Sequence, residues 1–169
     1  MIYRKFPYKT DWLESTKIFN ESIKAIESKF KIDRTHDIPY VAGYSKDGKI
    51  IFIDKDMPES FKNKTGKTIK TDKYLILHEA IEITLIKAYN EIYQLAHQIA
   101  LRVERDAVES NGISWKEYND FMMKYVKKIG DIQQYKNIPH DLDLMPYTDE
   151  DQKIVNGILK KYKPIIKRN

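Results

Sequence analysis

Two stretches of helical pattern carry ionisable side chains where a buried helix face calls for apolar ones. They run from Tyr74 to Asn90, within KYLILHEAIEITLIKAYN, and from Tyr93 to Glu109, YQLAHQIALRVERDAVE. Successive residues are placed at ~100° around a helix axis. In the first stretch Lys73, Ala80, Thr84 and Lys87 then mark a solvent face. The opposite side holds Leu75, Leu85, Ile86 and Tyr89, and among them His78 and Glu82. In the second, Gln94, Gln98, Arg102, Arg105 and Glu109 face water, while Tyr93, Ala96, Ala100, Val103 and Ala107 form the buried side with His97 and Glu104. Two histidines and two carboxylates therefore point into one interior.

Burying an unpaired charge costs several kcal/mol, so such groups are neutralised, paired or bound to a metal. His78 and Glu82 are four residues apart and share one helix face, the spacing by which one helix offers two ligands to one ion. The short turn at 90–92 makes the two helices antiparallel neighbours, which sets His78 opposite Glu104 and brings His97 one turn nearer the bend. Alanines on the second helix let the backbones approach. His78, Glu82, His97 and Glu104 are thus the candidate metal ligands; the spacing leaves open whether His97, Glu104 or both complete the set. Two histidines with one or two carboxylates suit zinc, and also iron or manganese. A di-iron bundle would want Glu three residues before each histidine, and those positions are Leu75 and Gln94. Glu79 sits at the edge of the ligand face, placed to accept a proton from water beside an ion.

Composition narrows the chemistry further. The 169 residues contain no cysteine, which removes disulfides and thiolate ligands. No apolar run has signal-peptide or membrane-span length, so the expectation is a cytoplasmic protein without a membrane partner. The net charge is +5, concentrated in 62–73 and in the tail. No nucleic-acid motif accompanies it, so solvated faces explain the charge better than a nucleic-acid partner does.

Read in order, the chain is α+β, mainly helical, with about five helices and a small antiparallel β-hairpin. Thr10 or Asp11 opens a first helix that runs to about Phe30. Lys31–Asp37 is a polar connection carrying His36. Ile38–Tyr44 and Lys49–Asp54, joined at Asp47-Gly48, form the hairpin, with one strand free to pair with an extended peptide. Phe61–Lys70 reads as a basic loop. Its GKT at Gly66–Thr68 is no phosphate-binding loop, because the required earlier glycine is Phe61. Thr71 or Asp72 caps the central helix and Asn90 stops it. The next helix ends before Gly112. Ser114 and Glu117 form a capping box for a helix from Trp115 to about Ile129. Irregular chain with His140 follows, then a last helix from Thr148 or Asp149 to about Tyr162. No internal repeat divides residues 1–169, which read as one domain.

The LHEAIE segment resembles the HExxH motif of zincin-type metallopeptidases, residue by residue at His78 and Glu79, with Glu82 where that family has its second histidine. The resemblance implies a zincin-like core, a hydrolase acting on a peptide or other amide, zinc held by His78 and partners, Glu79 as general base, and a strand before the helix that holds substrate backbone. Residues from about Ile38 to Tyr118 also look like small uncharacterised bacterial and phage proteins with a hairpin, HExxE and a His/Glu helix. Two other readings compete: a non-enzymatic module held together by a metal or a buried polar network, and a basic protein associated with nucleic acid.

Overall fold

The structure, a computed structural model, describes residues 20–132 and 135–144. Helix α1 occupies 20–27. Strands β1 (Lys31–Asp33), β2 (Ala42–Tyr44), β3 (Ile50–Ile53), β4 (Ser60–Lys62) and β5 (Thr68–Lys70) follow, then helices α2 (Asp72–Tyr89), α3 (Tyr93–Ser110) and α4 (Trp115–Gly130). The fold is α+β. The starts expected for the first helix at Thr10 or Asp11, and the whole of the last helix, lie outside the described residues.

The expected hairpin forms from β2 and β3, in register Ala42↔Ile53 and Tyr44↔Ile51. Its turn is built by side chains as much as by backbone. Ser45 Oγ donates to Asp47 Oδ1 at 2.7 Å and accepts from Ile50 N at 3.0 Å, and Gly48 takes φ +74°. Two strands lie outside the expected hairpin. Residues Lys31–Asp33, read as a polar connection, pair in parallel with β3, so β3 is the middle of a three-stranded sheet, order β1-β3-β2. Residues 61–70, read as a loop, belong instead to a second hairpin, β4 against β5. Asn63 makes its turn: Oδ1 accepts from Thr65 N, Thr65 Oγ1 and Lys67 N at 2.8–3.1 Å, and Gly66 takes φ +80°. An asparagine that replaces backbone acceptors in this way holds a turn without hydrophobic help.

Because β3 is paired on both sides, the edges of the larger sheet among the described residues are β1 and β2. Val41, Gly43 and Ser45 bond to β3, which leaves the N–H and C=O of Ala42 and Tyr44 facing outward. Asp143 N takes the Tyr44 carbonyl at 2.9 Å and Lys46 N bonds Asp141 O at 2.7 Å, so residues 141–143 cover one half of the β2 edge. The outward N–H and C=O of Ala42 have no backbone partner among the described residues, although the residue is only 3% exposed.

Helix α2 packs between the sheet and α3. Residues Tyr74–Ala80 are buried without a break, and so are Glu82 and Ile83. Ala80 is therefore in the core, not on a solvent face, and Tyr89, expected inside, is 70% exposed. The amphipathic wheel fails here because the first half of α2 has neighbours on all sides. Ala96, Ala100 and Ala107 of α3 are fully buried, as close approach of two helices requires. Gln94, expected to face water, is buried as well. Asn90 adopts the left-handed conformation, φ 54°, and stops α2 as expected. The Thr71 hydroxyl makes no cap; it donates to Pro58 O at 2.9 Å, and Asp72 pairs with Arg34 at 2.8 Å. At α4, Ser114 Oγ accepts from Glu117 N, while the Glu117 carboxylate accepts from Lys64 N at 3.2 Å and so ties the second hairpin to the helix.

Candidate metal centre

Four-residue spacing on α2 stacks His78 over Glu82, and the left-handed turn at Asn90 folds α3 back so that His97 meets them. His78 Nε2 lies 3.2 Å from His97 Nδ1 and 3.6 Å from Glu82 Oε2, and His97 Nδ1 lies 2.9 Å from the same oxygen. These three atoms form a nearly equilateral triangle. A tetrahedral ion with bonds of about 2.0–2.1 Å has ligand–ligand edges of about 3.3 Å. The triangle has the size of one face of such a polyhedron.

The atoms are also of the right kind. Each can present a lone pair to the middle of the triangle. With both imidazoles neutral, at most one proton is available there per histidine. One of His78's protons is already engaged elsewhere, because Nδ1 faces Glu104 Oε2 at 2.9 Å. In the neutral imidazole that contact leaves Nε2 of His78 as an acceptor pointing inward, while in the protonated one Nε2–H faces Glu82. His78, Glu82 and His97 together could hold a metal ion.

Glu104, expected as a fourth ligand, stands behind His78. Its other oxygen accepts from the Tyr118 hydroxyl at 2.6 Å. Both oxygens are thus engaged, one on the outer nitrogen of a ligand histidine and one on a phenol. A carboxylate in that place fixes the tautomer and ring orientation of the imidazole in front of it. Tyr118 escaped the sequence reading. It is one of twelve tyrosines, and nothing in the spacing of α4 marks it apart from a core filler.

Glu79 was expected at the edge of the ligand face. It is 5% exposed, and its Oε2 has no hydrogen-bond partner; nor has Glu82 Oε1. Burial and the nearby Glu82 charge push the Glu79 carboxyl up to about 8, with His78 pulling the other way. Burial also opposes ionisation of Glu82, but hydrogen bonds from His78 and His97 outweigh it and hold Glu82 below its ordinary value. For His78, burial lowers the pKa, and the carboxylates of Glu104 and Glu82 overcome it and raise the imidazole well above its usual range. Tyr44, on β2, has a buried hydroxyl without a partner, and burial and the charges of Glu82 and Glu79 raise its pKa. The buried, partnerless oxygens of Glu79 and Glu82 are acceptors without a donor, and a bound cation would relieve the repulsion that keeps Glu79 protonated.

The group opens into a cavity of about 600 Å³. Its walls include Tyr40–Ala42, at the start of β2, and residues of α3 and α4. Of the remaining histidines, His36 lies in a separate turn, 3.1 Å from Asp33 Oδ1, and His140 is an exposed loop residue. Among the described residues no helix is long and apolar enough to cross a membrane. No protein-family model, curated protein or solved structure matches the chain.

Proposed function

We propose that the chain is a metal-dependent hydrolase of zincin-like design, acting on peptide or related amide bonds. The observation that carries this reading is the triangle of His78 Nε2, His97 Nδ1 and Glu82 Oε2 with a buried, partnerless carboxylate beside it. His78, Glu82 and His97 would hold the ion, zinc by preference of the donor set, with iron or manganese also compatible. Bound there, the ion would supply Lewis acidity, polarising a carbonyl and making water easier to deprotonate.

The chain's own residues do the rest. Glu104 holds His78 in the tautomer that presents Nε2, and Tyr118 holds Glu104. Glu79 takes the proton of the attacking water and returns it to the departing amine nitrogen as the C–N bond breaks. A pKa near neutrality suits a group that must both accept and give a proton. The outward N–H and C=O of Ala42 offer an extended substrate a place on the sheet edge, beside the cluster.

A second reading keeps the same residues without a metal. The contacts of 2.6–3.2 Å already lie within hydrogen-bonding range, so the cluster could act as a polar network that sets the register of α2 against α3. Elemental analysis of protein purified without a histidine tag separates the two. The hydrolase reading expects one divalent ion per chain, lost in His78→Ala and Glu82→Ala. It expects Glu79→Gln to keep the ion and lose turnover of a casein or peptide-library substrate by ~10²–10⁴-fold. Reconstituted protein that binds no divalent ion tighter than roughly 10 µM, about 7 kcal/mol of affinity, would leave the network reading standing.

A further inference from the structure

The cavity extends well beyond the triangle, and its chemistry changes as it does so. Apart from Asn119, the wall given by α4 and the middle of α3 is mainly apolar. Leu101 of α3 and Trp115, Met122, Met123 and Val126 of α4 supply it. Met123 and Val126 are 53% and 41% exposed, an apolar face that α4 turns to the opening and not to the core. The chain carries 30 lysines and arginines, yet none is among the described residues that line this cavity. Tyrosines aside, the ionisable groups among the described lining residues are Glu79, Glu82, Glu104 and the two imidazoles.

This arrangement selects by charge. A phosphate, a nucleotide or the free carboxylate of a chain terminus seated on the α4 wall would find no lysine or arginine among the described lining residues to pair with it. An uncharged, apolar group would meet indole, thioether and aliphatic surface already short of partners. Ala42, whose N–H and C=O face away from β3, borders the same cavity, so its backbone groups are the ones an extended chain would meet there.

We infer that the cavity takes an internal segment of an extended polypeptide and recognises it by one bulky apolar side chain, of the size of Phe, Leu or Met, seated against Trp115, Met122, Met123 and Val126. The reaction on that segment rests on the hydrolase reading; the recognition does not, since it can be measured without turnover. Selection follows from the wall. Each methylene added to a side chain that enters an apolar pocket improves discrimination, so Phe or Leu should be preferred over Ala by roughly 10–100-fold. A glutamate at that position should be rejected.

Trp12 and Trp115 are the two tryptophans, so in a Trp12→Phe background the fluorescence of Trp115 reports on its own wall. The probes are the blocked peptides acetyl-Gly-Xaa-Gly-amide with Xaa as Phe, Leu, Ala or Glu, titrated into the full chain with and without zinc. The expected result is saturable binding of the Phe and Leu peptides, weaker binding of Ala and none of Glu. Val126→Glu and Met123→Glu change exposed positions, and each should abolish the preference while circular dichroism stays unchanged. Equal response to all four peptides, preference for Glu, or a preference that survives both substitutions overturns the inference. Discrimination in a protein that binds no zinc would uphold it and remove the hydrolase reading. Zinc binding with no discrimination would do the reverse.

Discussion

At the scale of single residues, the cluster stores protons that a metal would displace. In the metal-free protein Glu79 titrates near 8 against 4.5 for an ordinary glutamate, because burial and Glu82 disfavour its charge. His78 is likewise raised, through Glu104 and Glu82 against the opposing effect of burial. Both groups bind protons more tightly when folded than when unfolded. Their contribution to stability is complete at low pH and is lost as pH rises. For Glu79 the loss spans about pH 4.5 to 8. Glu82, held below its ordinary value, acts in the opposite sense and loses its contribution only as pH falls below about 4.5. Chelator-treated protein should therefore become easier to unfold with urea between pH 5 and pH 8, and Glu79→Gln should flatten that dependence. A wild-type profile that rises across this window would show that Glu79 is not buried as placed here. Tyr118 is tested by truncation of one atom. Tyr118→Phe keeps the ring packed against Tyr74 and Trp115 but leaves Glu104 Oε1 without its donor. Zinc affinity should fall, by less than the roughly 10–100-fold expected for losing Glu104 itself, the outer hydrogen-bond partner of His78. Unchanged affinity by competition with a chelating dye would restrict Tyr118 to packing.

At the scale of elements, what the sequence made legible depended on how many sides each element buries. Helix α3 follows its apolar stripe except at Gln94, and Asn90 and Ser114 mark the end of α2 and the start of α4 by local chemistry alone. Helix α2 does not follow a stripe, since Tyr74–Ala80 are enclosed on every side and a wheel has no face to find. For the same reason Glu79 looked peripheral. The convergence of His78, Glu82 and His97 could be read because i, i+4 spacing and a short antiparallel turn are local facts. The placement of Glu104 behind His78 depends on which nitrogen faces which helix, and spacing is silent on that. Strands β1, β4 and β5 have three residues each, too few for alternation to show. The β2–β3 hairpin gave itself away through its turn, and that turn can be tested. Gly48 has φ +74°, and a Cβ there would lie 2.7 Å from Ile83 Cδ1 on α2. Gly48→Ala should cost about 1–2 kcal/mol for the left-handed backbone, with Ile83 shifting its flexible end to make room. Chemical denaturation would measure it, and a neutral result would mean the turn is not held in this form.

At the scale of the molecule, the candidate metal centre joins α2 and α3, which pack on each other. His78 and Glu82 come from α2, His97 from α3, the sheet packs on α2, and the second hairpin packs on α4 through Phe61. An ion bound to all three side chains ties the two helices together only in the folded chain. The unfolded chain separates the ligands by as many as nineteen residues and retains little affinity. Binding energy then adds to folding stability. With free zinc at 100 times its dissociation constant the gain is about 2.7 kcal/mol, which for a chain of this length raises the melting temperature by roughly 5–10 °C. The rise should grow from pH 6 to pH 8, because the ligands must shed protons before they bind, and that is opposite to the trend of the metal-free protein. Glu82→Gln keeps the shape of the side chain and removes its charge. It should abolish the zinc-dependent rise while making the metal-free protein less sensitive to pH, since the repulsion it imposes on Glu79 is gone. A zinc-dependent rise of equal size in Glu82→Gln would place the ion elsewhere in the chain, whereas a rise that disappears in Glu82→Gln and in His97→Ala alike assigns it to the junction of α2 and α3.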